Sequence, residues 1–329
     1  MSPAIFIFVY YDFKVDKSIC QMAPWLAVIL KNLSSLKESK QQGRIVAKVK
    51  MKSRNNQVDV LQGMEGLKMT VRIAIIGGTG VYDPSILDDV RQKRLETPFG
   101  PVWVKIGNYR EREVAFVARH GEDHSVPPHL VNYRANIWGL KQLGVKSILA
   151  TAAVGSLNPK MKPCQLVFVD QFLDFTKSRP QTFIEKGVVH LDMTDPYCPE
   201  LRATLARAAR ELGLEHHTAG TYVCTEGPRF ETPAEIRMFR QLGGDIVGMT
   251  SVPEVVLARE AGICYATIAM VTNFAAGISP NRLSHQEVVE VMAENTANLR
   301  RLVMRAIELL QPDRTCLCHE TPLVPSAVK

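Results

Sequence analysis

The chain has 329 residues, of which 46% are hydrophobic and 22% are charged, proportions typical of globular proteins. This composition excludes a disordered, collagen-like or disulfide-dense chain, and the apolar runs stay well below the ~20 residues that a membrane-spanning helix needs. Of the net charge of +7, residues 1–68 carry +6 and residues 69–329 only +1, so the larger part has no charge excess typical of nucleic-acid binding. Seven cysteines without a paired spacing favour a reducing, cytoplasmic compartment.

Residues 1–68 differ in character from the rest of the chain. Two uncharged apolar stretches precede a run rich in Lys, Arg, Ser and Gln at 31–54. The first charges come after the first apolar stretch, which is the wrong order for a secretory signal, and a transit peptide would carry more Arg and fewer acids. We therefore expect a basic, poorly ordered extension without a catalytic role. An organelle address, or a surface that binds RNA or an acidic membrane, is the alternative.

From residue 69 onwards, predicted strands and helices alternate. Buried β-rich runs predict strands at 71–76, 102–106, 114–118, 147–151, 166–172, 221–224, 245–249 and 264–272. Helical periodicity predicts helices at 127–143, 199–212, 233–242, 253–261 and 284–310, the last with Ser284 as its N-cap. This alternation predicts one α/β domain over residues 69–311, a central mixed β-sheet flanked by helices, followed by a flexible tail at 312–329.

Small and polar residues follow the first predicted strand, at Gly77, Gly78, Thr79 and Gly80. Glycines let backbone N–H groups approach an anion, and the Thr hydroxyl adds a donor. A nicotinamide-binding fingerprint is the rival interpretation, but its third glycine would fall at position 83, which is Asp. The motif by itself leaves a structural turn, an anion site and a nicotinamide site open.

Other predicted strands also end in residues suited to an anion and a heterocycle. Arg119 is of the residue type that recognises phosphate through several hydrogen bonds. We expect an anion cradle beside an amide and an aromatic ring, made by Thr79, Arg119, His120 and Thr250 with Asn273 and Phe230. No Asp, Glu or His group has metal-ligand spacing, and Cys316, Cys318 and His319 in the tail are too few for a patterned site, so we expect no metal.

Five longer motifs identify a family. They are GGTG at 77–80, ARHG at 118–121, VNYRANIWGLK at 131–141, EGPRFET at 226–232 and GMTSVPEVVLAREAGICYATIAMVTN at 248–273. Over about residues 71–310 the chain resembles the trimeric purine nucleoside phosphorylase and 5′-methylthioadenosine phosphorylase family. The resemblance implies a homotrimeric pentosyltransferase without a cofactor. Its reaction would be reversible phosphorolysis, in which nucleoside and inorganic phosphate give free base and ribose 1-phosphate.

The resemblance also implies residue roles. Phosphate would be held by Thr79, Arg119, His120, Thr250 and the Ala152–Ala153 backbone, with Ala152 standing where the family often has Thr or Asn. Met249 would line the ribose, Phe230 would pack on the base, and His190 would reach the 5′ pocket of a neighbouring subunit. His120 and Asn273 would be the catalytic residues.

Three positions indicate which purine is bound. Methylthioadenosine enzymes of the family usually carry two Asp residues after the last strand, where this chain has Asn273, Phe274 and Ala275. An amide can accept from N7–H and donate to O6, whereas a carboxylate only accepts. Glu231 resembles the acceptor for N1–H in 6-oxopurine enzymes, and His285 resembles the contact to an ordinary 5′-hydroxyl. We therefore expect inosine and guanosine as substrates, with 5′-methylthioinosine or 5′-methylthioadenosine as the alternative.

Overall fold

One mixed β-sheet organises the fold. The structure, a computed structural model, describes residues 71–77, 87–279, 285–311 and 315–320. The predictions for the N-terminal extension, for Thr79 and for the Ser284 cap lie outside these residues. The proposed domain boundaries at 68/69 and 311/312 also stay predictions.

The described residues form eleven strands and five α-helices. The strands are β1 Ile73–Gly77, β2 Asp88–Leu95, β3 Val102–Tyr109, β4 Arg112–Ala118, β5 Ser147–Ser156, β6 Leu166–Phe168, β7 Gln171–Phe175, β8 His216–His217, β9 Thr221–Thr225, β10 Ile246–Gly248 and β11 Cys264–Phe274. The helices are α1 Tyr133–Gln142, α2 Pro199–Glu211, α3 Pro233–Gln241, α4 Ser251–Glu260 and α5 His285–Leu309. None of the described helices combines the length and the apolar character needed to cross a membrane.

The sheet is parallel in its centre and antiparallel towards its edges. Strands β4, β1, β5 and β11 are neighbours in that order and run parallel. On one side β2 and β3 continue the sheet as an antiparallel meander beyond β4. On the other side β10 pairs antiparallel with the end of β5, and β9 and β7 follow parallel to β10. The mixed α/β fold expected from the sequence is therefore confirmed.

Successive side chains of the central strands point alternately into two hydrophobic cores. Tyr265 faces the core shared with α1 and α4, whereas Ala266 faces the core shared with α2 and α5. Both faces of β11 are apolar because helices cover the sheet on both sides, as is usual for parallel strands. Several polar residues of these strands, among them Ser156 and Asn273, lie at the strand ends, where loops begin.

Three element predictions were wrong in instructive ways. The run at 166–172 is two strands, because β6 pairs with β11 while β7 pairs with β9 in another part of the sheet. The helix expected from 127 begins only at Tyr133, where the Asn132 side chain accepts from the Ala135 N–H and caps it; a short 3₁₀ turn precedes it. Strand β2 was not predicted, because its exposed polar sequence carries no apolar alternation.

Candidate active site

A cavity of about 350 Å³ opens where β5, β10 and β11 end. This volume lies within the range of small-molecule sites. Ten of the predicted site residues line it: Arg119, His120, Ala152, Ala153, Phe230, Glu231, Met249, Thr250, Asn273 and Ala275.

Strand direction explains why distant segments meet here. Strands β4, β5 and β11 bring their carboxyl ends to the same edge of the sheet. Strand β10 runs the opposite way, with Val247 opposite Gly155, so its own carboxyl end points back along β5. Met249 and Thr250, which follow β10, thereby reach the residues at the end of β5. An added Cβ on Gly248 would collide with the Tyr222 hydroxyl of β9, so the packing of β10 against this side chain requires glycine.

Arg119 is held by a buried carboxylate. Its Nε and Nη2 donate to the two carboxylate oxygens of Glu254, both at 2.7 Å, and its Nη1 donates to the Thr151 carbonyl at 2.9 Å. Burial opposes the charge of Arg119, but the ion pair with Glu254 outweighs it and raises the pKa of the guanidinium. A guanidinium has five N–H donors, and these bonds use three of them, so two N–H groups can serve an anion.

Glu254 was not singled out from the sequence, although it lies within the family motif at 248–273. Both partners of the ion pair are buried, and the Tyr265 hydroxyl also donates to Glu254 at 2.6 Å. Pairing of this kind fixes the plane of the guanidinium. An acidic residue among the apolar residues Val252–Leu257 was the available signal, because a buried carboxylate needs a partner.

His120 lies beside Arg119 and is neutral near pH 7. Burial, and then the charge of Arg119, lowers the pKa of the imidazole to about 4. Its Nδ1 is 2.9 Å from the Val126 carbonyl oxygen, which can only accept, so in the neutral ring Nδ1 carries the proton. The Nε2 atom is then an acceptor and becomes a donor only when the ring is protonated.

The lowered pKa of His120 predicts a loss of stability on acidification. Between pH 6.5 and about 4 the unfolded chain binds a proton at this residue that the folded chain does not. The free energy of unfolding therefore falls as the pH falls through this window, by up to about 3 kcal/mol for this one group. We expect His120→Gln to weaken this pH dependence in urea unfolding, whereas His129→Gln, at an exposed position, leaves it unchanged. Identical pH dependence in the parent and in His120→Gln would contradict the assignment.

Asn273 sits at the end of β11 with part of its hydrogen-bonding capacity in use. Its Oδ1 accepts from the Thr272 hydroxyl at 2.8 Å, and its Nδ2 donates to the Phe274 carbonyl at 3.0 Å. An amide offers two donors and two acceptor lone pairs, so one donor and one lone pair are left for a ligand. The side chain is buried and lines the cavity.

Glu231 brings a desolvated carboxylate to the same cavity. Burial raises its pKa, an effect partly opposed by the Thr225 hydroxyl, which donates to Oε1 at 2.7 Å. The next residue, Thr232, begins a capping box with Glu235, so Glu231 immediately precedes helix α3 and its position is fixed. Phe230 lines the cavity and is 41% exposed, so part of its surface is available to a ligand.

A second buried arginine, Arg179, ties these segments together and was missed by the sequence analysis. It donates to the carbonyls of Met249 at 2.6 Å, Val252 at 2.9 Å and Glu226 at 2.6 Å. It thereby joins the segment after β9 to the segment after β10. No motif surrounds Arg179 in the sequence, so only the fold shows this role.

Four predicted residues are not placed in the cavity. Phe274 is partly buried and does not line it, because successive side chains of β11 point to opposite faces. His190 is exposed in a loop and is likewise not part of the lining. His285 begins α5, but its side chain lies outside the described part of the chain, as does the whole of Thr79.

Fold and cavity together define an α/β enzyme whose site combines anion-binding donors with polar groups suited to a heterocycle. The chain belongs to the Phosphorylase superfamily, whose family model matches residues 72–308. It is 60% identical over 251 residues to a probable 6-oxopurine nucleoside phosphorylase of Moorella thermoacetica, covering 75% of this chain and 96% of that one. It is 55% identical over 258 residues to the 6-oxopurine nucleoside phosphorylase of Pyrococcus furiosus, covering 76% and 97%.

A solved structure shows the same fold. Methylthioadenosine phosphorylase from Schistosoma mansoni in complex with adenine superposes with a TM-score of 0.74 at 36% identity, covering 79% of this chain and 99% of that one. The family resemblance found in the sequence motifs is thus confirmed.

Proposed function

We propose that this protein is a purine nucleoside phosphorylase, a pentosyltransferase that acts on 6-oxopurine nucleosides such as inosine and guanosine in purine salvage. The observation that carries the proposal is the presence of Asn273 and Glu231 in one cavity with Arg119 and Thr250. An amide and a carboxylate complement O6, N7–H and N1–H of hypoxanthine or guanine. The names of relatives at 55–60% identity support the same substrate class.

The phosphate site is assigned to Arg119, His120, Thr250 and the Ala152–Ala153 backbone, with Thr79 as a further donor. The charge of Arg119 is balanced by Glu254, and His120 is neutral, so the site presents directed donors rather than a large net charge. A phosphate dianion placed beside His120 raises the pKa of the ring and draws a proton onto Nε2. That proton converts Nε2 into a donor to phosphate, so phosphate binding is coupled to proton uptake.

The chemistry requires positioning and charge stabilisation more than covalent assistance. A phosphate oxygen attacks C1′ as the bond from C1′ to N9 breaks, and the bonding electrons move into the purine. As negative charge builds on the departing purine, N7 takes up a proton from solvent; the free acceptor of Asn273 then accepts a hydrogen bond from this N7–H, and its free donor binds O6, where negative charge develops. Donors aimed at developing charge in a buried site give the largest rate gains.

The remaining assignments follow the family. The protein would act as a cytoplasmic homotrimer without a cofactor, with phosphate as co-substrate, and the six described cysteines that are free thiols fit a reducing compartment. His190 of one subunit and His285 would contact the 5′-hydroxyl, and Met249 the ribose. The exposure of His190 is consistent with a contact made by a neighbouring subunit.

Substitution of Glu231 tests the contact to N1–H. We expect Glu231→Leu to lower kcat/KM for inosine by about 10²–10³-fold, because a buried N1–H donor is left without an acceptor. Glu231→Gln keeps an acceptor oxygen and should retain more activity than Glu231→Leu. The raised pKa of Glu231 also predicts that kcat/KM of the parent falls on the acid side at a higher pH than an ordinary glutamate would give. This fall in kcat/KM at acidic pH should be absent in Glu231→Gln. If it persists in that variant, another titrating group causes it.

The direct test of function measures phosphate-dependent base release from inosine, guanosine, methylthioinosine and methylthioadenosine under identical conditions. The proposal expects inosine and guanosine to give the highest kcat/KM. A preference for methylthioadenosine would overturn the substrate assignment and favour the activity named for the Schistosoma mansoni neighbour.

A further inference from the structure

Four cysteines from three separate parts of the chain meet at one buried point. Cys198 precedes α2, Cys264 begins β11, and Cys316 and Cys318 lie in the C-terminal segment. All four side chains are buried, and their Sγ atoms all lie within 4.8 Å of one another. Cys316, Cys318 and His319 alone were too few to predict a metal site, and the other two cysteines lie 52 or more residues away in the sequence.

The backbone holds these residues in place independently of the sulfur atoms. The Cys198 N–H donates to the Tyr265 carbonyl at 2.8 Å, which fixes Cys198 beside the start of β11. The backbone N–H and hydroxyl of Thr315 donate to Glu200 in the first turn of α2, at 3.0 and 2.7 Å. The tail is therefore docked next to Cys198 by groups other than the thiols.

The spacing of the sulfur atoms fits a tetrahedral ion better than disulfides. Four thiolates each about 2.3 Å from a Zn²⁺ ion lie about 3.8 Å from one another. Cys264 Sγ and Cys316 Sγ are 3.4 Å apart, whereas a disulfide requires about 2.05 Å. All four Sγ atoms lie within 4.8 Å of one another, so one ion could contact all of them.

The local conformation aims both tail cysteines inwards. Leu317 between them is 67% exposed, and Cys316 and Cys318 are buried on either side of it. The turn Leu317–His319 is a short 3₁₀ helix that produces this alternation. In addition, Cys198 occupies the N-cap position of α2, so the start of this helix fixes its place in the cluster.

We propose that Cys198, Cys264, Cys316 and Cys318 bind one Zn²⁺ ion per chain in a closed, structural site. Four protein ligands leave no open position for substrate. The site lies at the start of β11, whereas Asn273 lies nine residues further along the same strand, roughly 30 Å away. Its role is to fasten the C-terminal segment to the sheet and to α2.

The test measures the zinc content of the full chain, purified under reducing conditions without chelator after dialysis against zinc and removal of the excess. We expect one zinc per chain in the parent and in Cys164→Ser, which changes an exposed cysteine outside the cluster. In Cys316→Ser/Cys318→Ser we expect less than about a tenth of this content, since two of four ligands are gone. Replacement by Co²⁺ should give the visible absorption of tetrahedral cobalt with thiolate-to-metal charge transfer.

Zinc removal from the parent keeps the test decisive if the double variant does not fold. Chelation should lower the thermal midpoint by roughly 5 °C or more and should restore four reactive thiols. A reduced, folded parent that binds no zinc would overturn the proposal. The proposal would also be overturned by a protein mass lower by two hydrogens for each disulfide, or by an unchanged zinc content in Cys316→Ser/Cys318→Ser.

Discussion

Asn273→Asp is expected to lower kcat/KM for inosine by about 10²–10³-fold and to raise it for adenine nucleosides. The carboxylate keeps the acceptor for N7–H but loses the donor to O6, so the charge that develops on the departing hypoxanthine is no longer stabilised. For a 6-aminopurine the added acceptor is favourable instead, because the exocyclic amine donates. Initial rates of base release at saturating phosphate, with inosine, adenosine and methylthioadenosine, measure both changes.

A matched control separates the local effect from a general one. Asn298→Asp makes the same chemical change on α5, where the side chain accepts from Arg301 and does not line the cavity. We expect this control to stay within twofold of the parent, on the scale of ordinary surface substitutions. If Asn273→Asp also kept its activity on inosine, Asn273 would not be the residue that reads O6. The preference for 6-oxopurines would then depend on Glu231 alone among the cavity residues.

Glu254→Gln is expected to raise KM for phosphate by roughly 10²-fold with a smaller change in KM for inosine. Glu254 contacts Arg119 through two bonds and has no place in the cavity lining, so we assign it as a positioning residue. The amide keeps one acceptor but loses the charge that holds the guanidinium plane. Steady-state kinetics with phosphate varied at fixed inosine, and with inosine varied at fixed phosphate, separate the two effects.

Glu260→Gln is the matched control for Glu254→Gln. Glu260 is also a buried glutamate of α4, but it accepts from the Thr182 hydroxyl and the Phe183 N–H, away from the cavity. We expect it to cost stability without changing KM for phosphate. A similar rise in KM in both variants would show that the effect comes from general loosening of α4.

Replacing Arg119, Glu254 and Tyr265 by apolar residues separates their effect on stability from their effect on phosphorolysis. Glu254→Leu alone leaves Arg119 as an uncompensated buried charge and should cost about 3–5 kcal/mol of unfolding free energy. The triple variant Arg119→Met/Glu254→Leu/Tyr265→Phe removes the charge, its partner and the tyrosine donor together. We expect most of the stability to return while phosphorolysis remains lost. Recovery of activity in the triple variant would show that Arg119 does not bind phosphate.

Local sequence determined most strands of the central sheet and most of the helices that cover it. Continuous apolar runs fixed β1, β5 and β11, because a parallel strand covered on both faces has no polar alternation. The family motifs then indicated candidate phosphate and base ligands in several separate segments of the chain. The motifs do not show which residues contact one another, because they give residue types and not distances.

Tertiary structure decided those contacts. Arg119 and Glu254 are 135 residues apart, and the fold brings them to 2.7 Å because Arg119 directly follows β4 whereas Glu254 lies on α4, which packs against the same sheet. The antiparallel direction of β10 likewise cannot be read from its three buried residues, yet it delivers Met249 and Thr250 to the cavity. Composition and periodicity thus set which elements form. Strand order and direction, which depend on long-range pairing, set which side chains meet in the cavity at one end of β11 and which cysteines meet at its other end.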